Sequence, residues 1–360
     1  MDKRYSTIDS FCGAGGLTIG LHDAGFECVA AFDYNQAAVD SFNRNLNPVA
    51  FVADTRDVTA DLLHERSGFE GRLDLFAGGP PCQGFSKQKR GAHLGDERNN
   101  LVREYARLVY ELRPRFFLLE NVDQLGGKRG REFIEHIAEL LDEYKLYPNL
   151  YNAADYGLAQ TRRRFIVVGK HKDVSAPFSI PKPTVNKFRT VGEVIGDLPE
   201  PPMDCSEHLE FANHYRTRIT QQNIERFSYV PQGGGWQDIP MEIRLPCHQV
   251  VDVKSGGWPD VYGRLREDGQ APTITCGFDS FTRGRFGHPH QNRALTPREA
   301  ARLQGFPDRF RFLGTMHDVR HQVGNAVPPP LGCAIGGAII KSLMIEDGTL
   351  EPTEATEGGK

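Results

Sequence analysis

Over its first 170 residues the chain alternates short apolar runs with stretches of helical periodicity, and no other feature restricts its fold so strongly. Residues 5–11, 27–33, 49–52, 73–77, 116–120 and 165–169 read as short buried strands. Between them, residues 17–24, 36–46, 99–112 and 131–144 read as helices. In the last of these, Phe133, Ile134, Ile137, Leu140 and Leu141 share one face. Strands separated by helices at this spacing run parallel, with crossover connections. The expected fold class is α/β, a doubly wound, Rossmann-like sheet.

The alternation stops near residue 174. Prolines at 177, 181, 183, 199, 201 and 202 break it, and Gly233-Gly234-Gly235-Trp236 and Gly256-Gly257-Trp258 follow. This stretch reads as short strands and loops, a smaller, mostly β or irregular domain. Helical pattern returns at Thr296-Pro297-Arg298-Glu299, a capping box with proline in the first turn. A last apolar helix opens at Pro328-Pro329-Pro330 and runs to residue 345. The returning helices need a surface to cover, so the first domain is expected to be interrupted by an insertion. The expected parts are 1–184 and 293–345 for the main domain, 185–292 for the insertion, and a disordered acidic tail at 346–360.

Charge places few limits on partners. The formal charge is −4, but the tail from 346 to 360 carries five acids and one base, so residues 1–345 are neutral. Within them, residues 87–131 hold eleven Lys/Arg against six acids, and residues 283–311 hold seven Arg against two. Such islands can face phosphates. The seven cysteines are odd in number and show no Cys-x-x-Cys spacing, and His288-Pro289-His290 lacks a third nearby ligand, so neither a disulfide framework nor a metal is expected. No run of eighteen apolar residues is present and the start lacks a signal-peptide core, so the expectation is a cytoplasmic chain without a membrane partner.

Two loops carry the chemistry. The first strand leads into Phe11-Cys12-Gly13-Ala14-Gly15-Gly16-Leu17 at a helix start, where glycine lets the backbone approach a ligand. Thr18 stands where the dinucleotide fingerprint needs its third glycine. Asp33, ending the second strand, suits ribose hydroxyls; Tyr34 suits a purine face, and Asp57 an adenine amino group. A nucleoside cofactor without a required pyrophosphate fits better than NAD. The fourth strand ends at Gly79-Pro80-Pro81-Cys82-Gln83-Gly84-Phe85-Ser86, setting a cysteine over the crevice at the strands' carboxyl ends. Glu120-Asn121-Val122 ends the fifth strand, and Gln160-Thr161-Arg162-Arg163-Arg164 enters the sixth. Alternation predicts that the side chains of Arg162 and Arg164 share a face.

Those segments, with 293–307 and 322–328, resemble in order the motifs of the cytosine-C5 DNA methyltransferase family, of the bacterial modification type. The resemblance implies an S-adenosylmethionine-dependent methyltransferase domain with an inserted target-recognition domain. It implies cofactor contacts at Phe11, Gly13, Gly15, Gly16, Asp33, Tyr34, Asp57, Pro81, Leu101 and Asn325, with S-adenosylhomocysteine as product. It further implies Cys82 as nucleophile, with Glu120, Arg162 and Arg164 as its catalytic partners. Cytosine C5 does not accept a methyl group unaided. A thiolate adding at C6 makes the ring an enamine, an acid at N3 stabilises it, and guanidiniums hold O2 and favour the thiolate. The target base leaves the duplex to be reached. Cys12, Asp33 and Ala326 depart from the family's more frequent small apolar residue, Glu and Ser.

By its place, 185–292 is the target-recognition domain. Gln83, Ser86 and Gln88 on the cysteine loop and Arg264, Thr273, Arg283 and Arg285 in the insertion are the candidate contacts to double-stranded DNA. The expected protein is a DNA (cytosine-5)-methyltransferase, a monomer on DNA, in a restriction-modification or other defence system with a cognate endonuclease. A family member acting on tRNA cytosine, and a non-catalytic DNA-binding relative, are the alternatives.

Overall fold

The computed structural model describes residues 4–81, 100–126, 128–251, 258 and 260–351. Strands β1 (Tyr5–Ser10), β2 (Phe26–Asp33), β3 (Ala50–Val52), β4 (Leu75–Gly78), β5 (Phe116–Val122) and β6 (Tyr144–Asn152) come in chain order, then a short β7 (Gln160–Thr161) and β8 (Arg163–His171). All but β7 join in one sheet of order β3-β2-β1-β4-β5-β8-β6. Ile8, Phe32, Phe76, Phe117, Leu119 and Val167 face one side, and Tyr5, Leu75, Phe116, Leu118, Ile166 and Val168 the other. Burial on both faces explains why these strands read as continuous apolar runs.

The expectation of parallel strands holds for all but one of the seven. β8 runs antiparallel to both β5 and β6. The helix expected at 131–144 ends at Leu140, and β6 begins at Tyr144. Pro148 hid that strand, because proline cannot donate to a ladder; β6 lies at the sheet's edge, the place where a strand tolerates it.

Helices α1 (Gly16–Ala24), α2 (Gln36–Asn45), α3 (Ala60–Ser67), α4 (Asn100–Leu112) and α5 (Lys128–Leu140) are the crossovers. In the middle of the chain the described α-helices and strand are α6 (Val191–Ile195), α7 (Gln221–Ser228), α8 (Pro246–Gln249) and the two-residue β9 (Ala271–Pro272), which pairs with β7. The short strands expected there reduce to β9 and isolated bridges at Arg264–Gly287 and Gly287–Ala294. Without ladders, the buried carbonyls of this region need other donors. Arginines supply them: Arg216 donates to Pro201 O at 2.9 Å, Arg226 to Ile243 O at 2.6 Å and Arg298 to Ala212 O at 2.9 Å.

The chain then returns through α9 (Pro297–Leu303), α10 (Met316–Asn325) and α11 (Pro329–Glu346). The Thr296–Glu299 capping box forms as expected. Leu331, Ile335, Ile339 and Leu343 of α11 lie with Leu17 and Leu21 of α1 on the sheet. The first tail residues are tied down rather than free: Glu346 accepts from Ser175 Oγ at 2.8 Å and Ala176 N at 2.7 Å, and Asp347 pairs with Arg115 at 2.7 Å. No single described helix is long and apolar enough to cross a membrane.

Candidate active site

The glycine loop is built from three left-handed residues. Phe11, Gly13 and Gly15 have φ of 55°, 52° and 93°, and Gly15 N closes the turn on Cys12 O at 2.9 Å. At Gly15 a side chain would meet Leu46 Cδ1 at 2.6 Å, and at Gly16 it would meet Val327 O at 2.5 Å. At Gly13 it would find nothing within 4 Å, so the loop is packed from below and open above. Asp33 braces it: Oδ2 accepts from Gly13 N at 3.0 Å and Oδ1 from Asn35 N at 2.9 Å. Burial pushes the Asp33 carboxyl up, against the pull of these N–H groups. Tyr34, 75% exposed, and exposed Asp57 follow the neighbouring ends of β2 and β3. Asn325, the exposed last residue of α10, reaches the same place, because Val327 lies against Gly16. Leu101 is half-buried on α4 and Pro81 is exposed at the last described residue of its loop.

Cys82, Gln83, Ser86 and Gln88 lie outside the described residues. The root of their loop is fixed by Asn121, whose Nδ2 donates to Pro80 O at 3.1 Å. A side chain at Gly79 would stand 3.0 Å from Glu120 Oε2, so Glu120 sits beneath the loop three residues before Cys82. Its Oε1 pairs with Arg164 Nε at 2.8 Å, and both side chains are largely buried. The pair follows from register, since Val122 of β5 opposes Arg164 of β8.

Arg162 lies close enough to feel the charges of Arg164 and Glu120, but it takes no part in their pair. Its register is broken between β7 and β8, and its guanidinium is fully buried. It donates to Ile274 O at 3.0 Å, Gly324 O at 3.1 Å and Ala326 O at 2.9 Å. Burial pushes it well below the usual arginine range. Gln160, also fully buried, donates to Leu303 O at 3.0 Å and Gln304 Oε1 at 2.9 Å and accepts from Ile274 N at 2.7 Å.

The insertion's candidates divide likewise. Arg264 is corrected to a buried strut: it donates to Val230 O, His288 O, Gln291 O, Phe227 O and Asn292 Oδ1 at 2.6–3.0 Å, with its guanidinium 4.0 Å from the Phe227 ring. Those acceptors occupy its five donors, leaving none for a base edge. Arg285 is bound to Gly233 O and Gly234 O, both at 2.7 Å, and to Asp260 at 3.3 Å. Thr273, just after β9, is half-buried and its Oγ1 donates to Thr161 O at 3.1 Å, while Arg283 is exposed. Two further residues adjoin the site without belonging to any chemical motif named above. Cys276 Sγ lies 3.4 Å from Asn325 Oδ1, a pairing across 49 residues that no local pattern signals. Asp9, buried beneath the glycine loop, accepts from Thr18 Oγ1 at 2.5 Å; an acid within an apolar strand was a visible signal.

The geometry therefore joins a glycine cradle, a braced acid and a buried carboxylate–guanidinium pair at the carboxyl ends of adjacent strands. Residues 5–341 match the family described as C-5 cytosine-specific DNA methylase. The Type II methyltransferase M1.HphI of Haemophilus parahaemolyticus is 35% identical over 340 residues, covering 93% of this chain and 86% of that one. A solved prophage-encoded DNA modification methyltransferase of E. coli superposes with a TM-score of 0.75 at 25% identity, over 94% of this chain and 99% of that one. The Entamoeba histolytica methyltransferase EhMeth shares the fold, with a TM-score of 0.63 at 16% identity over 97% and 100% of the two chains. The chain belongs to the C-5 cytosine-specific DNA methylases, a family of DNA-modifying enzymes with the fold of S-adenosylmethionine-dependent methyltransferases.

Proposed function

We propose that this chain methylates C5 of a cytosine within a specific short sequence of double-stranded DNA, through a transient bond between Cys82 Sγ and C6 of a base turned out of the helix. The observation that carries this reading is the Glu120–Arg164 pair, 2.8 Å apart beneath the root of the Cys82 loop and beside the glycine cradle. The cradle fits S-adenosylmethionine: Gly13 is open above, and each Asp33 oxygen keeps a lone pair for a ribose hydroxyl. Phe11, Gly13, Gly15, Gly16, Asp33, Tyr34, Asp57, Pro81, Leu101 and Asn325 are the residues proposed to hold it, and it supplies an electrophilic methyl group.

The Cys82 thiolate adds to C6, and the displaced electron pair moves toward N3 and C5. Glu120 holds a proton at N3, and Arg164 donates to O2, both favouring the adduct over the free ring. C5, now nucleophilic, takes the methyl group. Loss of the C5 proton to a base then expels the thiolate and restores the aromatic ring. Residues 185–292 read the sequence in this account, with half-buried Thr273 and exposed Arg283 as its contacts. Type II methyltransferases among the relatives support a place in restriction-modification, beside a cognate endonuclease on the cytoplasmic nucleoid.

A duplex carrying 5-fluorocytosine at the target is expected to trap the chain as a stable adduct, because fluorine does not leave as a proton does. Cys82→Ala is expected to lose both the adduct and methyl transfer while still binding DNA. Base-resolution mapping of DNA from cells expressing the chain supplies the target. Turnover by Cys82→Ala would refute the covalent route, and label appearing in tRNA alone would refute the DNA substrate.

A further inference from the structure

Arg162 occupies a position that the chemistry above does not use. Its Nη1 donates to Ile274 O, in the segment that continues β9 of the recognition region. Its Nη2 donates to Gly324 O and Ala326 O, the last turn and the cap of α10, which carries Asn325. The final carbonyls of a helix have no partner within it, and a cation there satisfies them and opposes the helix dipole. Beside Arg162, the two segments touch directly. A side chain at Gly324 would stand 2.5 Å from Cys276 N and 2.7 Å from Thr275 C. Gln160 adds a second fastening, since it accepts from Ile274 N and pairs with Gln304, whose Nε2 donates to Val323 O at 2.5 Å.

We propose that Arg162 is a positioning residue: it fastens the segment 271–276 to the end of α10, so that the DNA-facing Thr273 and the cofactor-facing Asn325 are set as one unit. The proposal rests on the roles given to Thr273 and Asn325 under the proposed function. It assigns Arg162 no contact with the base, and leaves that to Arg164.

The test compares the full-length wild type with Arg162→Met, Arg162→Lys and Gly324→Ala. Hydrogen exchange is read at 271–276 and 323–326, together with the Kd for S-adenosylhomocysteine, the KM for a duplex containing the mapped site, and kcat. For Arg162→Met, exchange is expected to rise in both segments together. Kd and KM are each expected to weaken about tenfold, with kcat at saturation within about threefold of wild type. Arg162→Lys retains a cation and three donors and is expected to recover part of both constants. Gly324→Ala is expected to weaken both constants by wedging the segments apart, and it carries the test if Arg162→Met does not fold. A hundredfold fall in kcat with unchanged constants would make Arg162 a catalytic residue and overturn the proposal. So would faster exchange in only one segment, or wild-type behaviour in every variant. If the wild type methylates no DNA, the proposed function fails, while the exchange measurements still judge the fastening.

Discussion

Two arginines separated by one residue have different fates because a guanidinium binds whatever acceptors surround it. Arg164 meets the carboxylate of Glu120, whereas Arg162 meets three backbone carbonyls. Glu120→Gln keeps the shape and removes the acid, so kcat is expected to fall about 10²–10⁴-fold with S-adenosylhomocysteine affinity little changed; single-turnover methylation and calorimetry check this. Asp9 offers a pH-dependent test. Burial pushes its carboxyl up to about 7, against the Thr18 hydroxyl bond and with Asp33 adding to the rise. A folded value above the ordinary one favours the protonated state. The resulting stability is present below about pH 4 and is lost as pH rises through about 7. Asp9→Asn cannot ionise, so its melting temperature is expected to gain on wild type between pH 5 and pH 8, by on the order of a few kcal/mol in stability. A difference independent of pH would contradict the burial argument.

At the scale of elements, glycine sets how closely the returning helix approaches the first one. A side chain at Gly20 of α1 would strike Pro329 O, with Cys333 N at 2.7 Å, and one at Gly336 of α11 would meet Ala24 at 2.9 Å. Gly20→Ala improves helix propensity by roughly 1 kcal/mol, yet it is expected to destabilise the chain by about 1–3 kcal/mol through overpacking. Chemical denaturation measures the sign. The α9 boundary was legible because Thr296, Pro297 and Glu299 act on backbone within one turn. β6 was not: Pro148 reads locally as a breaker, and only its place at the sheet's edge makes it compatible with a strand.

Across the whole molecule, much of the arginine-rich run at 283–311 proves to be scaffold, while Arg283, Arg309 and Arg311 stay exposed. Arg293 is buried against Glu299 at 2.6 Å, Arg298 binds carbonyls, and Arg302 pairs with Asp308 at 2.7 Å. Few cations from this run remain for DNA. The slope of log affinity against log salt is therefore expected to be shallower than about −5, with one chain per duplex; titration over a salt series and light scattering test both. A slope near −9 would show that these arginines rearrange toward phosphate. The α/β alternation, the capped return helix and the residue types at each strand's end are legible in the amino acids alone. All of these follow from hydrophobic period or from bonds made within a few positions. The antiparallel run of β8, the internal struts Arg162 and Arg264, and the meeting of Cys276 with Asn325 emerge only in the folded chain. Those outcomes depend on which distant carbonyls and carboxylates the fold brings within hydrogen-bond reach, and a side chain's type does not encode them.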